Sequence, residues 1–268
     1  MSDIPDMSTI SDVILGGNAR SPEPAAASFL GVHFAWERLT DRVHRCRLPF
    51  CDVSVGLVCG RAGALLVDTG TTLTEAAAID TDVRLLAGRP VRHIVLTHKH
   101  FDHVLGSSMF SGAQVHCAPE VVDYLASATD HLRQDALRHG ADATEVDAAI
   151  DALRPPHSGG YDAVVDLGDR TVTIAYLGRG HTASDLVVIV PGTEDGERVV
   201  VFTGDLVEES ADPAIDADSD VAAWPATLDR LLAVGGPQAI YVPGHGRAVD
   251  AEFVRRQRDW LARRAAAP

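Results

Sequence analysis

Seven consecutive residues, Thr97 to His103, read THKHFDH and follow directly on the apolar run HIVL. They contain three histidines and one aspartate. Side chains two residues apart in an extended segment point to the same side, so His98 and His100 can approach a single ion. Asp102 and His103 lie beyond them and can reach a second ion. The stretch therefore predicts two halves of a metal site at the end of a strand.

Further ligands are expected at strand ends or in glycine-bearing turns, where the backbone can approach an ion. Four motifs have this form, with Asp68 in LLVDTG, His181 in GRGHT, Asp205 in VVVFTGDL and His245 in IYVPGHG. Imidazole nitrogen and carboxylate oxygen together suit Zn²⁺, Fe or Mn²⁺ better than Ca²⁺ or Cu(I). These four residues are the candidates to complete the site.

The rest of the chain alternates strand-like and helix-like segments. Strand-like runs dominate residues 29–70, the first of them from Phe29 to Leu39, and residues 163–204. Helix-like composition marks residues 72–87, while residues 118–154 read as two or three helices. The chain closes with a helix, a strand and a helix, at about residues 224–234, 239–244 and 251–264. This order predicts an α/β fold in which two sheets pack face to face between helices.

Domain organisation follows from composition along the chain. Residues 1–28 are small, polar and proline-bearing, which is typical of a flexible arm. Residues 29–268 are predicted to form a single domain. Within it, residues 118–160 are a helical insertion that serves either as ordinary cover for the sandwich or as a lid over the site.

The overall charge limits the partners of this protein. The 268 residues are 46% hydrophobic and carry a net charge of −15, so a folded chain is expected that repels nucleic acid and anionic membranes. The sequence shows no apolar run near the roughly 20 residues that span a bilayer and no secretory signal at its start. We therefore expect a cytoplasmic protein with a small-molecule substrate; its oligomeric state is not indicated. The four cysteines show no C-x-x-C pair and receive no catalytic role.

Taken together, the motifs VDTG, THKHFDH with Gly106, GRGHT, TGDL and PGHG resemble the metallo-β-lactamase fold superfamily, over about residues 29–250 and in the family's order. The resemblance implies an αββα sandwich of two mixed β-sheets flanked by helices, with the site at one edge. It implies a first metal held by His98, His100 and His181, and a second held by Asp102, His103 and His245. Asp205 would bridge the two ions, and Asp68 would orient the ligands.

The reaction implied by this resemblance is hydrolysis by a dinuclear centre. Two divalent ions, Zn²⁺ first with Fe or Mn as alternatives, would share a bridging hydroxide that attacks a small ester, thioester or lactone. Asp102 or a metal-bound water would handle the proton. The fold alone does not fix the substrate, and a stand-alone, glyoxalase-II-like metallohydrolase fits the absence of a long extension after PGHG.

Two alternatives remain open. One is an iron enzyme similar to persulfide dioxygenases, with a single iron on two histidines and one aspartate. The other is amide hydrolysis of the β-lactamase type. The best-known β-lactamases of the superfamily carry cysteine where this chain has Asp205 and a substrate-gripping lysine where it has Glu208, which disfavours that reading. A binding protein on an inactive fold would have a broken ligand set, and here the set is complete.

Other polar residues have ordinary explanations. Seven histidines are expected to be hydrogen-bonded core or surface residues, namely His33, His44, His93, His116, His131, His139 and His157, of which His116 lies nearest the motif strand. Arg179 and Arg247 adjoin candidate ligands and either hold an anionic group or are simply solvated. Pocket walls are expected from residues 50–54, 118–160 and 207–220. The last stretch is acidic, which favours neutral or cationic substrates.

Overall fold

In the computed structural model, which describes residues 31–194 and 196–266, the strands form two mixed sheets. The arm expected at residues 1–28 lies outside the described residues. The first sheet has six strands in chain order: β1 (Glu37–Thr40), β2 (Val43–Arg47), β3 (Ser54–Cys59), β4 (Ala64–Val67), β5 (Val91–Val95) and β6 (Gln114–His116). Strands β1 to β4 are antiparallel, and β4, β5 and β6 are parallel.

The second sheet has five strands in the order β11, β10, β9, β8, β7. They are β7 (Ala163–Asp166), β8 (Thr171–Tyr176), β9 (Leu186–Val190), β10 (Val200–Glu208) and β11 (Ile240–His245). Only β10 and β11 are parallel in this sheet. The parallel pairs place the ends of several strands at the same edge.

The helices lie outside the two sheets. They are α1 (Leu73–Ala87), α2 (Phe101–Val104), α3 (Pro119–Ser127), α4 (Thr129–Arg138), α5 (Ala143–Ala152), α6 (Trp224–Gly235) and α7 (Ala251–Ala265), with a 3₁₀ turn over Leu105–Phe110. A capping box of Thr72 and Glu75 starts α1, and Gly88 in the left-handed conformation ends it. The segment after β6 thus contains three helices. No described helix is long and apolar enough to cross a membrane.

The alternation of side chains along the strands explains the layers. Val188 and Phe202 of the second sheet belong to the core shared with the first sheet, whereas Val187 and Val201 pack with α6 and α7. Successive residues point to opposite faces, so strands β9 and β10 are buried on both sides. At Gly56 the two sheets approach closely, because a Cβ there would lie 2.4 Å from the Phe202 ring. The predicted αββα sandwich is confirmed.

Two element boundaries differ from expectation. The first described strand begins at Glu37, and residues 31–36, where a strand was expected, are not part of one; the carboxylate of Asp82 on α1 accepts hydrogen bonds from His33 N, Phe34 N and Trp36 Nε1. Strand β10 continues past Gly204 to Glu208, because it remains paired with β11.

Candidate metal centre

Both sheets deliver candidate residues to one edge of the sandwich. Asp68 follows β4, and His98 and His100 follow β5 at the same end of the first sheet. In the second sheet Asp205 lies within β10 and His245 is the last residue of β11. The remaining candidates are Asp102 and His103 on α2, and His181 between β8 and β9.

The first cluster consists of three imidazoles and one carboxylate. The Nδ1 atom of His100 lies 3.1 Å from His98 Nε2 and 2.9 Å from His181 Nε2. Asp205 Oδ2 lies 3.5 Å from His98 Nε2 and 3.4 Å from His181 Nε2. These four side chains could hold one metal ion.

The second cluster adjoins the first through Asp205. His103 Nε2 lies 3.3 Å from His245 Nε2 and 3.2 Å from Asp205 Oδ1. His245 Nε2 lies 3.4 Å from Asp102 Oδ2 and 3.3 Å from Asp205 Oδ2. Because both oxygens of Asp205 reach imidazoles of the two clusters, this carboxylate lies between two potential ion positions.

The geometry fits metal ligands better than hydrogen-bonded side chains. Around a tetrahedral ion with metal–nitrogen distances of about 2.0–2.1 Å, neighbouring ligand atoms lie about 3.3 Å apart, close to the spacings observed here. Asp205 Oδ1 is buried and has no hydrogen-bond partner, which is costly without a cation. Gly244 leaves the space that the Asp205 carboxylate occupies, because a Cβ at position 244 would lie 1.8 Å from Asp205 Oδ1. The residues present therefore fit a pair of divalent cations.

Asp68 lies behind the candidate ligands and contacts one of them directly. Its carboxylate accepts hydrogen bonds from Thr97 N and Thr97 Oγ1, each at 2.8 Å, and lies 2.9 Å from His103 Nδ1. Thr97 Oγ1 in turn lies 3.0 Å from His98 Nδ1. These contacts fix the ring orientations and leave the Nε2 atoms of His98 and His103 directed into the clusters.

Backbone carbonyls orient two further imidazoles. His181 Nδ1 lies 3.2 Å from the carbonyl oxygen of Ala214, and His245 Nδ1 lies 2.7 Å from that of Cys51. In each case a ring N–H donated to the carbonyl directs Nε2 towards the cluster. The turn between β2 and β3 and the stretch after β10 therefore support the site.

Charge and burial act in opposite directions on these groups. Burial lowers the pKa of His98, and it lowers the pKa of His100 to about 4. Burial also disfavours protonation of His103 and His245, but the Asp205 carboxylate outweighs it, so that the pKa of His103 rises and that of His245 rises to about 10. These imidazoles hold the pKa of Asp205 well below its usual range, against the effect of burial. A bound cation would take the place of the protons, since metal ligands bind in their deprotonated forms.

Glu208 was expected beside the substrate, at the position of the lysine that grips the substrate in the best-known β-lactamases, and the structure places it close to the candidate ligands themselves. It is 6% exposed, and one carboxylate oxygen can lie within 4.8 Å of ligand atoms of Asp205 and His245. Burial, followed by the charge of Asp205, raises its pKa to about 7. The spacing Asp205-x-x-Glu208 was the available signal, but a regular strand would place these two residues on opposite faces.

The rim of the site contains the acidic segment, residues 207–220. Asp218 Oδ2 lies 2.5 Å from Lys99 Nζ, which also lies 4.5 Å from the centre of the Tyr124 ring on α3. These three residues line a cavity of about 360 Å³. Arg179 forms an ion pair with Asp220, and Arg247 forms one with Glu209. Both arginines are therefore paired with carboxylates of the acidic segment.

The other described histidines stand outside the two clusters. His93 Nδ1 lies 3.2 Å from His116 Nε2, and His131 lies beside the Tyr124 hydroxyl. His33 bonds to Asp82, while His139 lies against the Asp135 carbonyl. His44 is buried and His157 is exposed.

Comparison with known proteins locates this architecture among characterised families. The family model described as the metallo-beta-lactamase superfamily matches residues 48–245. The chain is 30% identical over 128 residues to metallo-beta-lactamase type 2 of Bacteroides fragilis, covering 46% of this chain and about half (49%) of that relative. It is 28% identical over 196 residues to metallo-beta-lactamase domain-containing protein 1 of Xenopus laevis, covering 73% of this chain and 71% of the relative.

Solved structures show the same fold. A metallo-beta-lactamase from Pontibacter korlensis superposes with a TM-score of 0.65 at 20% identity, covering 85% of this chain and 98% of the other. One from Erythrobacter litoralis superposes with a TM-score of 0.62 at 20% identity, covering 86% and 96%.

Proposed function

Because the chain belongs to the metallo-beta-lactamase superfamily, whose members related to it are metal-dependent hydrolases, we propose that it is a dinuclear hydrolase of a small ester, thioester or lactone. The observation that carries the proposal is the convergence of ligand atoms from both sheets into two adjoining clusters. Binding of small molecules agrees with the cavity of about 360 Å³ beside Lys99.

The proposed ligand sets follow the two clusters. His98, His100 and His181 bind the first ion, and Asp102, His103 and His245 bind the second. Asp205 would be a ligand shared by the two ions, and Asp68 is a positioning residue that holds His103 through its Nδ1 atom. We favour Zn²⁺, because imidazole-rich sets with carboxylates suit it, with Fe or Mn as alternatives.

The chain's own residues contribute orientation and proton handling. Two bound cations would supply a water of lowered pKa and polarise the scissile carbonyl. Asp102 Oδ2 lies 3.4 Å from His245 Nε2 and the residue is buried, so its carboxylate is placed to accept a proton at the centre. The ring bonds to Ala214, Cys51, Thr97 and Asp68 keep the imidazoles fixed during the reaction.

The electrostatics of the rim favour neutral or cationic substrates. Glu208, Asp216 and Asp218 border the clusters, and the neighbouring Arg179 and Arg247 are paired with acidic residues. An anionic group would therefore meet like charge at the site. Residues 118–160 would cover the cleft as a lid, with Tyr124 on α3 in contact with Lys99.

Amide hydrolysis of a β-lactam is the second candidate, because relatives of this chain bear the name metallo-beta-lactamase. Against it stands Glu208, since a β-lactam carboxylate would approach this buried acid. Turnover of a β-lactam that matches turnover of neutral esters would favour this second candidate.

The first experiment is elemental analysis of protein purified without added metal, together with an ester, thioester and lactone screen. We expect about two Zn or Mn ions per chain, and hydrolysis of at least one class. In Asp205→Ala about one ion and the activity should be lost, whereas the exposed Asp162→Ala control should match the parent. A single iron per chain that survives loss of His245 would instead indicate a mononuclear, oxygen-dependent enzyme.

Substrate charge is tested with a matched pair, an anionic ester and its neutral amide-capped analogue. We expect the neutral compound to have the higher kcat/KM, because the acidic rim repels the other. Comparable kcat/KM values for the two compounds would contradict a role of the rim charges in selectivity.

A further inference from the structure

We propose that Glu208 supplies an additional oxygen ligand to the second cluster, so that this position takes a harder divalent cation, such as Mn²⁺ or Fe²⁺, than the first. This inference rests on the proposed two-ion centre and deepens it. The ligand set that it defines joins two groups of side chains that share His245. One group is Asp102, His103 and His245, and the other is Asp205, Glu208 and His245.

An irregularity in β10 brings Glu208 to the cluster. Gly204 is paired with Pro243 of β11, and Glu208 with His245, so four steps along β10 correspond to two along β11. Side chains three residues apart on a regular strand face opposite sides of the sheet. A β-bulge changes the direction in which the following side chains point, and bulges are over-represented near active sites. Here it allows Asp205 and Glu208 to approach the same imidazole, that of His245.

The irregular backbone is held by a dedicated side chain. Gln257 on α7 accepts a hydrogen bond from Glu208 N at 2.9 Å and donates one to Leu206 O at 2.8 Å. Gln257 is itself 6% exposed. The Gln257 amide forms hydrogen bonds with backbone groups of the irregular part of β10. The backbone of Glu208 is therefore held in place by a contact with α7.

The surroundings of the Glu208 carboxylate call for a cation. Ser210 Oγ donates a hydrogen bond to Glu208 Oε1 at 2.9 Å. Two buried carboxylates, those of Asp205 and Glu208, lie together beside the imidazoles of His103 and His245. A divalent ion would stabilise this arrangement by taking the place of the protons on those imidazoles.

The two positions then differ in chemistry. The first offers three imidazole nitrogens and one carboxylate, which suits tetrahedral Zn²⁺. With Glu208 the second offers two imidazoles and three carboxylates, a larger and harder set that suits Mn²⁺ or Fe²⁺. The inference is thus that the centre binds two different metals.

The test compares metal binding by the full-length wild type, Glu208→Gln and Glu208→Asp. Metal-free protein is loaded with one equivalent of Zn²⁺ and titrated with Mn²⁺, by calorimetry and by the EPR signal of the bound ion. Glutamine preserves shape and the acceptor for Ser210, and Glu252→Gln on the exposed face of α7 is the charge-matched control. We expect at least about a tenfold weaker Mn²⁺ affinity in Glu208→Gln and no change in Glu252→Gln.

Each outcome has a distinct meaning. Equal Mn²⁺ affinities in the wild type and Glu208→Gln overturn the role of Glu208 and leave the hydrolase proposal standing. A wild type that binds only one ion of either metal overturns the two-ion centre itself. Melting of the metal-free variants serves as the folding check; if Glu208→Gln does not fold, Glu208→Asp decides, with weakened Mn²⁺ affinity expected and wild-type affinity contradicting the inference.

Discussion

At the scale of single residues, Asp68 combines an unusual backbone with a central position behind the site. Its φ of 60° lies in the left-handed region, where non-glycine residues are uncommon but asparagine and aspartate are tolerated. The carboxylate gathers three contacts, from Thr97 N, Thr97 Oγ1 and His103 Nδ1. The strained conformation is held because it presents both oxygens to these donors.

Asp68→Asn should weaken metal binding with little effect on the fold. Asparagine accepts the same backbone conformation, but its amide NH₂ replaces one acceptor and the negative charge is lost. We expect metal affinity at the second position to fall by about 10- to 100-fold, measured by calorimetry on metal-free protein. Asp52→Asn, at an aspartate that also has a positive φ, should leave that affinity unchanged; an equal loss there would assign the effect to the backbone.

His44 on β2 should make stability depend on pH. It is 6% exposed, and burial, with a contribution from Arg38, lowers its pKa from 6.5 to about 4. Between these values the unfolded chain binds a proton that the folded chain does not, so stability falls as pH decreases. From pH 7 to pH 5 this amounts to about 2 kcal/mol.

Urea unfolding of metal-free wild type and His44→Gln at pH 7 and pH 5 measures this difference. The variant should lose about 2 kcal/mol less than the wild type over that interval, whatever its stability at pH 7. Parallel losses in the two proteins would contradict the assignment.

The candidate ligands could be found from the sequence because each lies in a short local motif. Their types and neighbours are fixed by the chemistry of the ion, so a local pattern suffices for residues such as His98 and His181. Glu208 could not be placed in the same way. Its closeness to His245 depends on the pairing of β10 with β11 and on Gln257, which is 49 residues away along the chain.

At the scale of secondary structure elements, α1 does more than cover the first sheet. Asp82, fully buried on this helix, accepts hydrogen bonds from His33 N, Phe34 N and Trp36 Nε1. It fastens the segment before β1 to the body of the protein. The sequence pattern had suggested a strand over these residues, because it reads as a run of aromatic and β-branched side chains and gives no sign of a distant acceptor.

Asp82→Ala should therefore destabilise the protein strongly. It leaves three donors without their acceptor, at a cost of at least about 3 kcal/mol in the free energy of unfolding. Asp80→Ala, two residues earlier on α1, removes only a surface pair with Arg84 and should cost less than about 1 kcal/mol. Chemical denaturation of the two variants measures both free energies of unfolding. Similar losses of stability in the two variants would show that the buried hydrogen bonds of Asp82 contribute no more than the surface pair of Asp80.

The end of β10 shows a second limit of local patterns. Glycine in the sequence TGDL indicates a turn after Gly204, and the strand was expected to stop there. Long-range pairing with β11 carries it on to Glu208. Tertiary pairing thus overrides the local signal of glycine, whereas α1, with its capping box and C-terminal glycine, was located accurately because its start and end signals are local.

At the scale of the whole molecule, the two clusters join the two sheets. His98 and His103 come from the first sheet and its adjoining helix, and Asp205 and His245 from the second. Ions bound there would connect the halves of the sandwich and would bind only the folded chain. The architecture itself was predictable, because the order of motifs and strand-like runs implies it; the contacts between layers, such as that of Gly56 with Phe202, depend on packing that a local pattern does not encode.

Metal removal should consequently lower thermal stability. A ligand at 1,000 times its Kd stabilises the folded state by about 4 kcal/mol, which corresponds to a Tm difference on the order of 10 °C for a chain of this size. Calorimetry with and without chelator should show this difference in the wild type. In Asp205→Ala the difference should be much smaller, and an equal Tm with and without metal in the wild type would show that the clusters do not bind ions tightly.

Lys99 has one more consequence, which concerns chemistry done on the protein rather than by it. It is the only lysine in the chain, and its Nζ is held between Asp218 and the Tyr124 ring. An amine-directed fluorophore would therefore attach, among side chains, at this one position between His98 and His100. Labelling of Lys99 would be faster when residues 207–220 and α3 are separated, because its amine is then released from Asp218 and the Tyr124 ring. The labelling rate would thus measure motion at the rim of the site.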